Sequence, residues 1–146
     1  METRPPQAKK RVLVADDAPD ILFIVQKTME SAGYEVLTAA NGKEAYQKAI
    51  EQKPDLIISD ILMPLMNGFK LCDELKNNPN YGHIPIILMT AVYRQPDHIE
   101  MGFKFGADAY MAKPFKTEQL LAITKQLMQK TITSPLPPRP SLIIKS

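Results

Sequence analysis

Five short apolar runs, separated by longer amphipathic segments, are the feature of the sequence that most restricts its fold. The runs have the length of β-strands, and alternation of such runs with helical patterns is typical of a parallel α/β sheet. The central runs are apolar throughout, as burial on both faces of a sheet requires. The predicted strands are Arg11–Ala15, Glu35–Ala39, Leu56–Asp60, Ile86–Met89 and Ala109–Ala112.

Helix boundaries are marked by local signals between the predicted strands. Gly33 and Gly106 follow two of the helices, where a left-handed terminus favours glycine. Asn41, with Glu44 three residues later, is typical of a capping box. The predicted helices are Pro19–Ala32, Lys43–Lys53, Phe69–Asn77, Pro96–Phe105 and Lys116–Lys130.

The two ends of the chain differ in composition from the part between them. Residues 1–8 are predicted to be a flexible lead-in and residues 9–130 the folded domain. Residues 131–146 contain a proline-rich stretch that removes backbone donors, and are predicted to be a tail or linker. The final Leu142–Ile144 is more apolar than an inert tail needs, so it fits either the start of a further domain or a docking segment.

Composition excludes several classes of protein. The 146 residues include 18 basic and 16 acidic ones, and a net charge of +2 gives no strong field, so nucleic-acid binding is not expected within this chain. The single cysteine excludes an internal disulfide. There is no apolar run of membrane-spanning length and no signal-peptide pattern, so a cytoplasmic protein is expected.

Polar side chains stand where four of the predicted strands end. Asp16 and Asp17 follow the first, Asp60 ends the third, Thr90 follows the fourth and Lys113 the fifth. Ligands of open parallel sheets bind at the carboxyl ends of the strands. Acids, a hydroxyl and an amine gathered there indicate a metal-assisted phosphoryl site.

Together these motifs resemble the receiver domain of two-component response regulators over about residues 9–129. The resemblance implies a flavodoxin-like, doubly wound sheet of five parallel strands in the order 2-1-3-4-5, with five helices. The motifs that carry it are Asp16-Asp17, Asp60 with Pro64 and Gly68 after it, Thr90-Ala91 and Lys113-Pro114.

Three carboxylates would repel one another and a phosphate, so the acids imply a hard dication, and Mg²⁺ suits a small oxygen site. By resemblance, Asp60 accepts the phosphoryl group and, with Asp17, ligates Mg²⁺ directly. Asp16 would act through a bound water, and the backbone carbonyl of Leu62 would be a further ligand. For the acid pair, the alternative is a helix N-cap before Pro19.

Two further side chains would contact the phosphoryl group. The Lys113 ammonium is predicted to pair with Asp60 at rest and with a phosphoryl oxygen after transfer, and the family's Lys-Pro bond is typically cis. The Thr90 hydroxyl would donate to the phosphoryl group, and Tyr110 matches an aromatic that swings inward when that threonine engages phosphate. The alternatives are ordinary structural roles: a solvated surface lysine for Lys113, a β-branched strand residue for Thr90 and an aromatic packing residue for Tyr110.

The predicted function is a phosphorylation-dependent switch, phosphorylated by a histidine kinase or phosphotransfer protein. It would signal to an effector protein or domain, with possible homodimerisation, through the face of helix four, strand five and helix five. The chain is expected to be a regulator rather than an enzyme, capable only of its own phosphorylation and of slow dephosphorylation, because Leu62 and Val92 are apolar where many receivers carry polar groups. In helix four, Ile99 with Phe103 and Met101 with Phe105 point in different directions, so one pair is expected to be exposed.

Two other functions remain open from the sequence. One is a phosphohydrolase that forms an aspartyl phosphate, although such enzymes commonly need a second acid where this chain has Leu62. The other is a receiver-like interaction module that is never phosphorylated.

Overall fold

The computed structural model describes residues 9–129 and 143–144, in which strands and helices alternate along the chain. The predicted lead-in and the rest of the predicted tail lie outside the described residues. The strands are β1 (Arg11–Ala15), β2 (Glu35–Ala39), β3 (Leu56–Asp60), β4 (Ile86–Thr90), β5 (Ala109–Ala112) and β6 (Ile143–Ile144). The helices are α1 (Pro19–Ser31), α2 (Gly42–Gln52), α3 (Gly68–Lys76), α4 (Pro96–Lys104) and α5 (Thr117–Gln129).

All strand pairs are parallel, in the order β2-β1-β3-β4-β5-β6. The predicted order of the first five strands is therefore confirmed. The additional strand β6 comes from the apolar end of the predicted tail and extends the sheet beyond β5.

Helices cover both faces of the sheet, which gives two apolar cores. One core packs the sheet against α2, α3 and α4 and includes Ala49, Leu75 and Ile99. The other packs it against α1 and α5 and includes Met29 and Leu127. The strands β3, β4 and β5 are buried along their whole length because helices lie on both sides of them.

Backbone signals at the helix ends are largely those predicted. Gly33 and Gly106 have φ of 96° and 108°, the left-handed conformation that favours glycine. The Asn41 side chain accepts a hydrogen bond from the Glu44 amide at 2.7 Å. Glu44 in turn accepts from the Ala40 amide rather than from that of Asn41, so the capping box closes one residue earlier than its usual form.

The two apolar pairs of α4 differ only partly in their exposure to solvent. Ile99 is buried and Met101 is 41% exposed. Phe105 is half-buried and lies against Phe69, with 5.8 Å between ring centroids. The expectation that a complete pair would be exposed is wrong, because Phe69 of α3 covers the second member.

Candidate functional site

The three predicted acids meet at the carboxyl ends of β1 and β3, which are neighbours in the sheet. Asp16 and Asp60 are buried, at 1% and 8% exposure, and Asp17 is exposed. One carboxylate oxygen from each lies within 4.8 Å of the others. Neither aspartate is the N-cap of α1: that residue is Ala18, whose amide donates to Asp16 Oδ1 at 2.9 Å.

Lys113 brings a cation to this cluster from the end of β5. Its Nζ donates to Asp16 Oδ2 at 2.8 Å and lies 3.4 Å from Asp60 Oδ1. The predicted contact with Asp60 is therefore present, but the shorter contact is to Asp16. The Lys113-Pro114 peptide bond is cis, as the resemblance implied.

The charges at the site do not balance. Three carboxylates face one ammonium, which leaves an excess of two negative charges when all are ionised. Burial and the neighbouring Asp16 raise the pKa of Asp60 from 3.8 to about 6, against the opposing effect of Lys113. The two excess charges and the hard oxygen donors fit a small dication such as Mg²⁺.

Leu62 lies in the loop after β3, and its side chain is 43% exposed. Its predicted role uses only the backbone carbonyl and stays a prediction. Val92, in the loop after β4, is 61% exposed. Both apolar side chains thus stand in solvent on loops that follow the strands of the site.

The loop after Asp60 depends on a close approach at one glycine and on one residue with positive φ. Gly68 does not need a left-handed conformation; a Cβ there would lie 2.5 Å from the Asp60 carbonyl oxygen. Glycine is required because the start of α3 packs directly on the end of β3. The residue with positive φ is instead Leu65, at 72°.

Thr90, at the end of β4, is buried and holds the loop that follows it. Its Oγ1 accepts hydrogen bonds from the amides of Val92 at 3.1 Å and Tyr93 at 2.9 Å. As the acceptor in both bonds, the hydroxyl keeps its own hydrogen for a further acceptor.

Tyr110 of β5 points inward and is 1% exposed. Its hydroxyl donates to the Tyr93 carbonyl at 2.7 Å. Its ring lies over Gly102 of α4, where a Cβ would come within 2.8 Å of two ring carbons. Thr90 and Tyr110 are therefore joined through the backbone of a single residue, Tyr93.

Sequence reasoning gave Tyr93 and Gly102 no role. The Tyr93 ring stacks on Phe69 and contacts the ring of His98, with 4.6 Å between the latter centroids. Tyr93 contacts Thr90 and Tyr110 through its backbone amide and carbonyl, and Gly102 makes room for the Tyr110 ring because it has no side chain. Neither role can be read from the type of residue in the sequence. The only available hint was an aromatic residue three positions after the predicted switch threonine.

Comparisons with known proteins agree with this geometry. A family model described as the response regulator receiver domain matches residues 12–125. The DNA-binding dual master transcriptional regulator RpaA of Synechocystis is 37% identical over 121 residues, which are 83% of this chain and 50% of that protein. The alkaline phosphatase synthesis transcriptional regulatory protein PhoP of Bacillus subtilis is 36% identical over 122 residues, 84% of this chain and 50% of that protein.

Solved structures are similar over nearly their whole length. The chemotaxis response regulator CheY4 of Vibrio cholerae has a TM-score of 0.76 and 37% identity, covering 82% of this chain and 99% of that one. A putative response regulator from Chloroflexus aurantiacus has a TM-score of 0.79 and 32% identity, covering 84% and 99%. The chain spans about half the length of the curated relatives it matches. Within the described residues, no helix is both long and apolar enough to cross a membrane.

Proposed function

Since the chain belongs to the response regulator receiver family, a family of signalling proteins, we propose that it acts as a switch by accepting a phosphoryl group on Asp60. The observation that carries this assignment is the position of Asp60. Its carboxylate lies at the carboxyl edge of the sheet beside Lys113 and two further acids. Phosphoryl transfer needs a positioned acceptor and positive charge to balance the transferring oxygens, which Lys113 supplies in part and a cation held by the acids would complete.

The donor would be a phosphohistidine of a kinase or phosphotransfer protein. The phosphorus–nitrogen bond breaks, a phosphorus–oxygen bond forms to an Asp60 carboxylate oxygen, and the leaving imidazole nitrogen takes up a proton. The product is an acyl phosphate, a mixed anhydride. Asp60 must be ionised to attack, and its pKa of about 6 in the metal-free site already leaves it mostly ionised at neutral pH.

Asp16, Asp17 and Asp60, with the Leu62 carbonyl, would hold Mg²⁺. When bound, the ion neutralises charge on the phosphoryl oxygens. Asp16 is already tied to Lys113 and to the Ala18 amide, which fits its assignment as a ligand that acts through water.

Lys113 and Thr90 would recognise the transferred group. Lys113 is within reach of Asp60 and can pair with a phosphoryl oxygen. The Thr90 hydroxyl would donate a hydrogen bond to a second phosphoryl oxygen. A shift of Thr90 toward the phosphate would strain its bonds to the Val92 and Tyr93 amides, and Tyr93 would pass that shift to Tyr110.

The proposed output is a change in binding at the face formed by α4, β5 and α5. An effector protein or domain, or a second copy of the chain, is the proposed partner. The named relatives are transcriptional regulators about twice as long as the matched region, which supports an effector domain elsewhere. Exposed apolar Leu62 and Val92 offer a hydrolytic water no polar partner from their side chains, which supports slow dephosphorylation.

The test is phosphorylation by a small donor such as phosphoramidate with Mg²⁺, followed by intact-mass analysis and mapping of the modified residue. One phosphoryl group should appear, at Asp60, and be lost slowly in the same time course after the donor is removed. Asp60→Asn should remain unmodified, whereas Asp97→Asn, which removes an exposed aspartate outside the site, should behave as the parent. Equal phosphorylation of Asp60→Asn and the parent would contradict the assignment.

A further inference from the structure

The outer edge of β5 is occupied by the chain's own C-terminal segment. Ile143–Ile144 pairs in parallel with β5, Ile143 opposite Tyr110 and Ile144 opposite Met111. The strand β6 follows α5 in chain order and is parallel to β5, so β5, α5 and β6 have the order of one more β-α-β unit. The segment is thus placed on the sheet by the same topology as the other strands.

The two edges of the sheet differ in their need for a covering strand. At the other edge, β2 has only one buried residue, and its exposed Glu35 pairs with Arg11 at 3.3 Å. The four residues of β5 carry no charge and are all buried. An apolar edge without charge is a template for a further strand, whereas a charged one resists it.

The sequence before β6 limits where such a strand can form. Prolines at 135, 137, 138 and 140 lack the backbone donor that a sheet requires. The run that follows them is free of proline and contains two β-branched residues, which favour strands. Ile143–Ile144 is therefore suited to be the occupant of the β5 edge.

Docking of β6 bears on the conformation of Tyr110. In the register of the two strands Tyr110 is opposite residue 143, so the backbone of β6 lies beside Tyr110 along the outer edge of β5. The Tyr110 ring is now held inward, over Gly102 and against Phe103. To turn outward it must move toward the sheet edge, where residue 143 lies.

We propose that the β5 edge is a strand-docking site whose occupant is this chain's own Ile143–Ile144, and that docking holds Tyr110 inward. Because an inward Tyr110 goes with engagement of Thr90 by phosphate, docking also favours phosphorylation; this second step rests on the proposed function. Linkage is reciprocal, so phosphorylation in turn strengthens docking.

Docking is tested in the full chain by replacing both Ile143 and Ile144 with proline. The matched control, Ser134→Pro with Leu136→Pro, adds the same two prolines outside the strand. Of the Tyr110 and Met111 amides, one faces β4 and the other β6, because successive amides of a strand point to opposite sides. The amide that faces β6 should exchange its hydrogen at least tenfold faster in the double-proline variant, and at the parent rate in the control.

Equal exchange in all three proteins would overturn the docking. Repeating the measurement over a range of concentrations tests the source of the strand. Protection that falls on dilution, together with a dimer in sedimentation, would show that the strand comes from a second copy, which also overturns the proposal.

The coupling between docking and phosphorylation is tested with trifluoroberyllate, which mimics the phosphoryl group of an acyl phosphate. The ligand is added in the presence of Mg²⁺, and its bound form is detected by ¹⁹F NMR. The double-proline variant should need at least threefold more ligand for half-saturation than the parent and the control. Equal half-saturation would overturn the coupling. If the parent itself binds none, the proposed function has failed, and docking is decided by the exchange result alone.

Discussion

At the scale of single residues, Asp60 is held in an environment that opposes its own charge. Burial and Asp16 raise its pKa from 3.8 to about 6, so the folded protein binds a proton there more tightly than the unfolded chain does. Above pH 6 the carboxylate is ionised in both states, and the folded state bears the cost of its burial. The proposed acceptor is thus a residue whose charge the proposed function requires and the stability of the fold disfavours.

Asp60→Asn should therefore stabilise the protein at neutral pH in the absence of Mg²⁺. The gain should be about 2 kcal/mol at pH 7, allowing for partial access of solvent to the site. It should shrink as the pH falls through about 6 and vanish below about 3.8, where the parent's Asp60 is protonated in both states. Urea unfolding over a series of pH values measures it.

The control is Glu100→Gln, which removes an exposed charge in α4 and should change the free energy of unfolding by less than about 0.5 kcal/mol. A stability gain from Asp60→Asn that does not depend on pH would show that the gain has another cause.

At the scale of elements, the sequence predicted β1 to β5 and the five helices to within about a residue, because apolar periodicity and helix-end residues report directly on local structure. It also placed Asp16, Asp17, Asp60, Thr90 and Lys113 on the correct strand ends. It could not show that Lys113 lies closer to Asp16 than to Asp60, since that depends on side-chain geometry between strands. The pairing of β6 was left open for a related reason: two residues are too short for a periodic pattern.

The contact between α4 and β5 depends on a missing side chain. Gly102→Ala would place a Cβ 2.8 Å from the Tyr110 ring, so the ring or the helix must move. We expect the Tyr110 ring to spend more time outward, even though alanine favours the helix by about 1 kcal/mol over glycine. Nitration of Tyr110, followed by mass spectrometry, should be faster in this variant.

Met101→Ala is the matched control, because it alters the exposed side of the same helix and should leave nitration of Tyr110 at the parent rate. If Gly102→Ala also leaves it unchanged, the helix has moved instead of the ring, and the glycine does not set the tyrosine's position.

At the scale of the whole molecule, the two ends of the sheet have different tasks. At the end opposite the acids, Lys76 Nζ donates to Asp108 Oδ2 at 2.8 Å and to the carbonyls of Gly82 and Ile84. Asp108 also accepts from the Ile86 amide at 2.9 Å. This network joins α3, the loop before β4 and the start of β5, and has no contact with the site.

Asp108→Ala should consequently destabilise the fold without impairing the site. Removing one partner of a largely buried ion pair leaves the Lys76 charge uncompensated, at a cost of about 2–3 kcal/mol in the free energy of unfolding. Glu74→Ala, which breaks an exposed pair with Lys70, should cost about 0.5 kcal/mol or less. Thermal unfolding measures both, and a large loss of phosphorylation in folded Asp108→Ala would contradict this division of tasks.

The contact between Lys113 and Asp16 spans 97 positions of the chain. All three acids belong to the first half of the sequence, and their cation arrives only with β5. During folding, a β1–β3 pair that forms early brings carboxylates together before Lys113 is in place, and repulsion among them opposes that intermediate. Until the last strands dock, a dication from solution would reduce this repulsion, so the ion proposed to serve phosphoryl transfer in the finished protein would also assist its folding.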